Sequence, residues 1–532
     1  MGKLTSWFLP VLMAGSLVAC GGGSGSSSIS SQAMTQAISA VNELSSAGYS
    51  VTQGNVFLFK NTNCPQFISI FGSCFGNNAA APYIIPQPPT EGTYVDQVYA
   101  VPLNTPGPNG VNTNIAYRLS DNDALITVVK YPPLAAYFGY QSYVFTSQKS
   151  NYTSAEPMLR VDSPNSSRYE IFGSVGNDIN NVIVKNQFGS PWDGNVITYI
   201  TSSNQTLASD ISAKMIAKGV NANSIMVERL GVNVKTGRGE AADDLVTLMR
   251  YALPQNSTSG DAWYDSINSN ILVYKVSSPN VGVSRYSTDQ YTSRTGTSEL
   301  HLLPALDELA ALLQSWSTQN TILGSLSAVS TSSFTRTTID VDGIPFGLVG
   351  SDCIRKGTVC LGDNQDTSSY AFSPKFDLSS NSHLFIAGVD HNKFNNSSYI
   401  SLSIYNASQM AGIASSSQTN FSAVGFNSGS LTGSDTGTSS AEYVLRDIGL
   451  YSAASTMLRL ALPSLYINLI SKNCSIAKKY CIDLDGNNLI PDTSPPTPIN
   501  MYERSYIRPG ATTAANSNIM VFPRVIGAGK ER

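Results

Sequence analysis

Two stretches of the chain carry apolar residues at the three- and four-residue spacing of an amphipathic helix. The first ends near Gly48, and its apolar positions are Met34, Ile38, Val41 and Leu44. The second is longer, and its apolar positions are Leu302, Leu306, Leu309, Leu313 and Trp316. Because this spacing places each set on one face, both stretches predict helices that pack against a core.

Between residues 54 and 148 the helical spacing gives way to short runs rich in β-branched and aromatic residues. Two of these runs, 124–130 and 137–145, flank Pro132 and Pro133. Their composition predicts two strands joined through a connection that proline stiffens.

Residues 169–276 alternate between the two kinds of pattern. Strands are expected at 196–200, 225–227 and 271–275, and helices at 206–218 and 240–250. Gly219 follows the first of these helices where a left-handed cap belongs. In the second, Glu240, Asp243 and Asp244 would lie in the first turn and Arg250 at the end, which suits the helix dipole. The resulting β-α-β-α-β order predicts a compact mixed α/β unit.

A Ser/Thr-rich stretch at 325–338 marks the expected domain boundary. Beyond it, the β-like runs 384–387, 399–405 and 519–522 surround one helix-like stretch from Glu442 to near Ile470. We therefore expect an α+β fold, with an α+β domain at 32–324, a linker at 325–338 and a β-rich, sandwich-like domain at 339–532. No internal repeat is visible in the sequence.

Composition limits the classes of partner. Charged residues make up 13% of the 532 residues, against about 25% in an average globular domain, and the net charge is −4. A chain without a basic surplus lacks the positive surface that binds phosphates, so nucleic acid is not an expected partner. The 26 tyrosines and the abundant neutral polar residues suit a carbohydrate or protein ligand at the cell surface.

The N-terminus is organised like a secretory signal. Lys3 precedes an apolar run at 7–18, and the signal closes with Leu17-Val-Ala-Cys20. This arrangement resembles a bacterial lipoprotein precursor, and an ordinary signal peptide with a chance cysteine is the alternative.

The resemblance implies a mature protein held at the membrane by lipid. Residues 1–19 would be removed as a signal peptide, Cys20 would be lipidated, and residues 20–31 would form a Gly/Ser tether. Gly21, in place of an aspartate, implies sorting to the outer membrane of a Gram-negative bacterium.

The other six cysteines lie in three close pairs, Cys64 with Cys74, Cys353 with Cys360, and Cys474 with Cys481. Short loops close at the least entropic cost, so export to an oxidising compartment predicts three local disulfides. A metal site is the alternative, although the CxxC spacing and the nearby histidines typical of such sites are absent.

Catalytic motifs are few. The GxSxG, HExxH, Walker A and CxxC patterns are absent, and no cofactor is expected. His391 follows Asp390 where a predicted strand meets a loop, a common position for catalytic groups, although neighbours on a strand point to opposite faces. Asp363 and Asp366 form an acidic pair that suits either a cation, a sugar or a plain turn.

One further acidic run suggests calcium. Asp483, Asp485 and Asn487 alternate as oxygen ligands do in a tight calcium loop. The run departs from an EF-hand, with Asn488 in place of the turn glycine and Ser494 in place of the bidentate glutamate. An Asp-Gly hairpin turn is the alternative interpretation.

Two functions remain open at this point. The first is a lipid-anchored envelope protein that acts as a binding or interaction module. The alternative is an extracytoplasmic hydrolase acting on a polymer such as a glycan, through two carboxylates that the sequence does not identify.

Overall fold

The structure is a computed structural model with an α+β fold, in which helices flank paired β-sheets. It describes residues 25–71, 73–90, 105–148, 168–189, 195–287, 293–319, 330–333, 335–336, 354, 365–378, 383–418, 421, 438–472, 474, 481–484, 497–527 and 530–531. In these ranges, none of the helices is both long and apolar enough to span a bilayer.

The N-terminal half is built from strands that form two five-stranded sheets and a short hairpin. The strands are β1 (Ser50–Gln53), β2 (Asn55–Phe59), β3 (Tyr83–Gln87), β4 (Thr105–Pro106), β5 (Asn112–Thr113), β6 (Asp123–Lys130), β7 (Ala135–Gln148), β8 (Arg168–Asn180), β9 (Val196–Ser202), β10 (Ile225–Arg229), β11 (Asp244–Pro254) and β12 (Ile271–Ser277).

The first sheet has the order β1-β12-β6-β9-β10 and the second the order β2-β3-β11-β7-β8. β9 and β10 pair in parallel, and the other neighbours pair antiparallel. The chain passes from one sheet to the other at Gly54, whose N–H donates to the Val273 carbonyl at 2.7 Å. A Cβ at Gly54 would lie 2.3 Å from the Gln87 carbonyl oxygen, so this crossing requires glycine.

Helices pack on the first sheet and lie at the ends of the second. They are α1 (Gly25–Glu43), α2 (Cys64–Phe71), α3 (Asn181–Phe188), α4 (Gln205–Ala217), α5 (Ser257–Asp265) and α6 (Ile267–Asn270). α1 and α4 pack on the outer face of the first sheet through Val41, Leu44 and Ile211, while Leu125 and Ile197 face the second sheet. α1 begins at Gly25, inside the segment expected to be a tether.

The C-terminal half contains three described helices and a second set of sheets. The helices are α7 (Leu303–Gln319), α8 (Ser440–Asp447) and α9 (Thr456–Ala461). The strands are β13 (Ser330–Ser333), β14 (Thr335–Arg336), β15 (Thr367–Phe372), β16 (Phe376–Asp377), β17 (His383–Val389), β18 (Ile400–Asn406), β19 (Ala411–Ser417), β20 (Leu465–Ser471), β21 (Cys481–Asp483), β22 (Pro498–Tyr506), β23 (Arg524–Gly527) and β24 (Lys530–Glu531).

The two halves have the same topology. A first C-terminal sheet has the order β13-β23-β17-β20-β21, again with a parallel last pair, and the other contains the path β14-β15-β22-β18-β19. Taken in chain order, each of these ten strands therefore has its counterpart among the ten sheet strands of the N-terminal half. Residues 25–287 and 293–531 are two structural repeats, called here the first and second repeat, which the sequence does not reveal.

The Leu-rich helix α7 belongs to the second repeat by its packing. Leu306, Leu309 and Leu313 lie in one buried cluster with Phe385 and Ile467 of the second repeat. α7 thus precedes β13 as α1 precedes β1, although the expected 32–324 domain would include it. The segment expected as a linker at 325–338 contributes the short strands β13 and β14.

The expected helix at 240–250 is wrong, because most of this stretch lies in strand β11. β11 is the central strand of the second sheet and is covered on both faces, so its apolar residues do not alternate and resemble a helix pattern. Asp244, expected in a first helical turn, instead forms buried ion pairs with Arg118 at 2.6 Å and Arg168 at 2.9 Å.

Of the other secondary-structure elements expected from the sequence, some are confirmed and some are wrong. The helices near Val41, 206–218 and Leu309 are confirmed, and Gly219 has the left-handed φ of 89° that its position predicted. The helix-like stretch that begins at Glu442 ends early, because residues 465–471 form strand β20. Residues 519–522 are not a strand, and the strand near them begins at Arg524.

Candidate functional site

His391, one of the catalytic candidates of the sequence, lies between two carboxylates in the core of the second repeat. Its Nδ1 lies 2.9 Å from the Glu299 carboxylate oxygens, and its Nε2 lies 3.1 Å from Glu503 Oε1. Tyr466 donates to Glu503 Oε2 at 2.6 Å, and Asn396 donates to Glu299 Oε1 at 2.7 Å.

The His391 cluster is closed to solvent. The side chains of His391 and Glu299 are 0% exposed and that of Glu503 is 1% exposed. Burial alone would lower the pKa of His391, but the charges and hydrogen bonds of the two glutamates raise it well above its usual value. The geometry is that of a buried imidazolium that links the chain segments carrying Glu299, His391 and Glu503. The Asp390 carboxylate accepts from the Asn392 N–H at 3.2 Å.

Asp366 lies at the contact between the repeats. Its carboxylate accepts from Tyr137 Oη and from Asn180 Nδ2, both at 2.7 Å, and both donors belong to the first repeat. Burial raises the pKa of Asp366 to about 6, against the opposing effect of these hydrogen bonds and of the Arg294 and Arg250 charges. Asp363, its expected companion, lies outside the described residues.

An apolar cavity opens on the outer face of the second sheet of the first repeat. Its volume is about 500 Å³, which includes the solvent at its mouth. Its lining residues are Phe59, Phe67, Cys74, Phe75, Asn77, Tyr83, Ile85, Ile115, Phe145, Phe172, Val246 and Leu248. None of these described lining residues carries a formal charge at neutral pH. This cavity is the candidate functional site.

The roof of the cavity is a disulfide-clasped segment. Cys64 and Cys74 form a disulfide, as the sequence predicted, and α2 between them carries Phe67. Phe67 packs edge-on against Phe59 of β2, with ring centroids 4.8 Å apart. The disulfide therefore holds the aromatic roof at a fixed height above the sheet.

The end of the clasp is fixed by the second repeat. The Cys74 N–H donates to the Gln409 carbonyl at 2.8 Å, and the Gly76 N–H donates to the Met410 carbonyl at the same distance. Asn77 Oδ1 accepts from the Gly412 N–H at 2.7 Å. The cavity thus depends on both repeats, although the sheet under it belongs to the first.

Two phenylalanines of the lining have left-handed backbones. Phe75 has φ 56° and Phe172 has φ 51°, a region that costs a bulky residue about 1–3 kcal/mol. Their rings are near parallel, at 10°, with centroids 6.3 Å apart, and both are partly exposed. Phe145 contacts both rings edge-on, at 5.4 and 5.7 Å. Strain of this kind concentrates at ligand clamps, and here it places two rings at the cavity wall.

One side of the cavity meets a pair of arginines. Arg250 lies over the Tyr83 ring, with its Cζ 4.5 Å from the ring centroid. Burial raises the pKa of Tyr83, but the charges of Arg250 and Arg504 outweigh it and hold that pKa below its ordinary value. The apolar cavity therefore borders a region of positive potential.

The remaining predicted sites lie only partly within the described residues. Cys474 and Cys481 form a disulfide, as expected, whereas Cys353 and Cys360 lie outside the described ranges. Asp483 is exposed at the end of β21, and its expected calcium partners Asp485 and Asn487 also lie outside them. In the portion of the chain that the structure describes, no three His, Cys, Asp or Glu side chains are arranged to hold a metal ion.

Comparisons with known proteins give no family. No protein-family profile and no curated protein matches the chain. One similar crystal structure is an uncharacterized protein from Burkholderia cenocepacia, with 10% identity and a TM-score of 0.34 over 94% of this chain and 89% of that chain. Another, from Vibrio parahaemolyticus, has 9% identity and a TM-score of 0.33 over 88% of this chain and all of that chain. TM-scores this low support no conclusion about this protein.

Sequence reasoning did not identify the cavity, although one signal was present. Five of the 19 phenylalanines fall between residues 57 and 75, on either side of Cys64. The other half of the lining comes from distant strands of the same sheet, so pattern alone did not predict a cavity.

Proposed function

We propose that this protein is a lipid-anchored envelope protein that binds an apolar ligand group in the cavity between the Cys64–Cys74 clasp and the second sheet of the first repeat. The observation that supports it is the open aromatic cavity, whose wall includes the two strained residues Phe75 and Phe172. Ligand sites in proteins are commonly concave and lined largely by apolar and aromatic side chains.

The lining indicates the chemical class of the ligand. Phenylalanine rings offer faces and edges but no hydrogen bonds, so they favour an aromatic or aliphatic group over a sugar. Burying apolar surface contributes about 25 cal/mol per Å², and an aromatic group of about 150 Å² would gain roughly 4 kcal/mol before binding costs. We therefore expect a hydrophobic small molecule, or a hydrophobic portion of a larger one, bound with modest affinity.

A glycan hydrolase would need two carboxylates facing one cleft. The described lining of this cavity contains none, and Asp366 is buried between the repeats with 2% of its surface exposed. The cavity therefore favours binding over hydrolysis.

Filling the cavity should block binding. Leu248 lines the floor and is 9% exposed, so Leu248→Trp would place an indole in the open space. We expect the affinity for the fluorescent apolar probe N-phenyl-1-naphthylamine to fall at least tenfold in a titration of residues 21–532. That segment contains every described residue.

Two matched variants give the controls. Leu248→Met conserves volume and should bind the probe as the parent does. Leu460→Ser removes the most exposed large apolar side chain, which is 79% exposed, and should also leave binding unchanged. Equal probe binding by Leu248→Trp and the parent would refute the cavity as the site, provided that both melt at similar temperatures.

Membrane attachment through Cys20 can be tested separately. Several acyl chains at about 0.8 kcal/mol per buried methylene make an anchor effectively permanent, so Cys20→Ser should release the protein or leave it unprocessed. Fractionation after a carbonate wash measures this. Full processing together with retention on the washed membranes would contradict lipid anchoring.

A further inference from the structure

The floor of the cavity ends at an arginine. Val246, Leu248 and Arg250 are alternate residues of β11 and therefore share the outer face of the second sheet. Val246 and Leu248 line the cavity, and Arg250 is the next position in the same row, about 7 Å beyond Leu248. Arg250 lies opposite Tyr83 of β3, which is itself a lining residue. The apolar floor therefore leads directly to a cationic side chain.

Two tyrosines hold Arg250 in place. Its Cζ lies 4.5 Å from the centroid of the Tyr83 ring and 5.0 Å from that of the Tyr506 ring, and its guanidinium also donates to the Tyr506 hydroxyl. Arg250 and Tyr83 are both partly exposed. A polar ligand group at this end of the cavity would therefore meet an oriented guanidinium and still keep contact with water.

A second arginine comes from the second repeat. Arg504 Nη2 donates to the Gly76 carbonyl at 2.5 Å, and Gly76 lies between the lining residues Phe75 and Asn77. The charges of Arg504 and Arg250 together hold the pKa of Tyr83 below its ordinary value, although burial raises it. The positive potential of both arginines therefore reaches a side chain that lines the cavity.

The carboxylate of Asp366 also lies in the field of Arg250, but it is not part of the cavity. It accepts from Tyr137 and Asn180, is 2% exposed and is absent from the described lining. The charge of Arg250 acts on Asp366 by opposing the burial that raises its pKa. An anionic ligand group would thus be attracted to the Arg250 end of the cavity and would meet no like charge in the described lining.

We propose that the ligand of this cavity is an anionic amphiphile, whose apolar group packs on the phenylalanine rings and whose acidic group lies at the Tyr83 and Arg250 end. The inference rests on the proposed function and names its ligand class. A carboxylate, a sulfonate or a phosphate accepts charge-assisted hydrogen bonds from a guanidinium, and these are roughly twice as strong as bonds between neutral groups. Strand geometry places the acidic group about 7 Å from the apolar one.

Two probes that differ by one charged group test the proposal. N-phenyl-1-naphthylamine is neutral, and 8-anilinonaphthalene-1-sulfonate is the same skeleton with one sulfonate. In titrations of residues 21–532, Leu248→Trp should weaken the binding of both, because both would occupy the cavity. Arg250→Gln should lower the affinity for the sulfonate about tenfold relative to that for the neutral probe, as expected for the loss of one hydrogen bond to a charged group. Arg250→Lys keeps the charge and should retain most of the preference.

A distant arginine and a measurement on the parent provide the controls. The Arg446 side chain on α8 is 53% exposed, so Arg446→Gln removes the same charge and should leave the ratio of the two affinities unchanged. In the parent, 4-phenylbutyrate should displace the neutral probe at a lower concentration than 4-phenylbutan-1-ol. This comparison tests the proposal even if Arg250→Gln does not fold, as judged by circular dichroism.

The outcomes separate this inference from the proposed function. Binding of N-phenyl-1-naphthylamine that Leu248→Trp blocks, with an affinity ratio that Arg250→Gln does not change, would overturn the anionic group and leave the cavity as an apolar site. Displacement by the alcohol at the lower concentration would overturn it in the same way. Absence of saturable binding of the neutral probe to the parent would overturn the proposed function, and this inference with it.

Discussion

Replacing His391 with alanine is expected to lower the free energy of unfolding by about 3–5 kcal/mol. The change leaves Glu299 and Glu503 as buried carboxylates without the imidazolium that lies between them, at 2.9 and 3.1 Å. Urea unfolding at neutral pH measures the loss. His301→Ala, at an exposed histidine, is the control and should change stability by less than about 0.5 kcal/mol.

A double variant distinguishes charge from packing. If repulsion between the carboxylates causes the loss, His391→Ala combined with Glu503→Gln should be more stable than His391→Ala alone. Equal or lower stability of the double variant would show that lost packing, and not charge, dominates.

The same cluster sets a pH dependence with a defined sign. The pKa of His391 is raised in the folded state, so its stabilisation is complete below the unfolded pKa of about 6.5. That stabilisation is lost as pH rises through the folded value. The difference between the parent and His391→Gln should therefore shrink at alkaline pH and stay constant below about pH 6.

The parent is expected to lose up to about 3 kcal/mol of unfolding free energy as pH rises through the pKa of Asp366, and Asp366→Asn should abolish this loss. Burial raises the pKa of this carboxyl from 3.8 to about 6. The protonated form therefore stabilises the folded state below about pH 4, and this contribution is lost as pH rises to about 6. The free energies of unfolding of the parent and the variant are measured by urea unfolding between about pH 4 and pH 7. The parent value minus the variant value should fall as pH rises and then level off.

A related variant tests the neighbouring tyrosine at this contact. Asn78 is 2% exposed and its Nδ2 donates to Tyr399 Oη at 3.2 Å, so a carboxylate introduced by Asn78→Asp should add a second fall in stability with rising pH. A parent and an Asp366→Asn variant with parallel pH profiles would contradict the argument, because the carboxyl would then have the same pKa folded and unfolded.

Local pattern determined much of this protein. The stripe around Leu309 predicted α7, the spacing around Val41 predicted α1, and the short sequence separations predicted the disulfides Cys64–Cys74 and Cys474–Cys481. These features depend on residues within a few helical turns or one short loop of each other. Their periodicity or loop entropy is therefore visible without a fold.

Tertiary structure decided everything that needed distant partners. β11 resembled a helix, because a strand covered on both faces loses the alternation that identifies strands. In the sequence, His391 was a catalytic candidate. In the structure it lies between Glu299 and Glu503, which are 92 and 112 residues away in sequence.

The repeat and the cavity were likewise decided only by the tertiary structure. Two sequences can build one strand order with few shared residues, since sheet register needs burial on the correct face and not a particular side chain. The cavity joins a clasp at 64–77 to Phe145, Phe172 and Leu248, which the sheet order alone brings together. The sequence by itself therefore determined the helices α1, α4 and α7, the disulfides Cys64–Cys74 and Cys474–Cys481 and the resemblance to a lipoprotein. Only the tertiary structure decided which residues line the cavity together, because that depends on strand pairing across the whole chain.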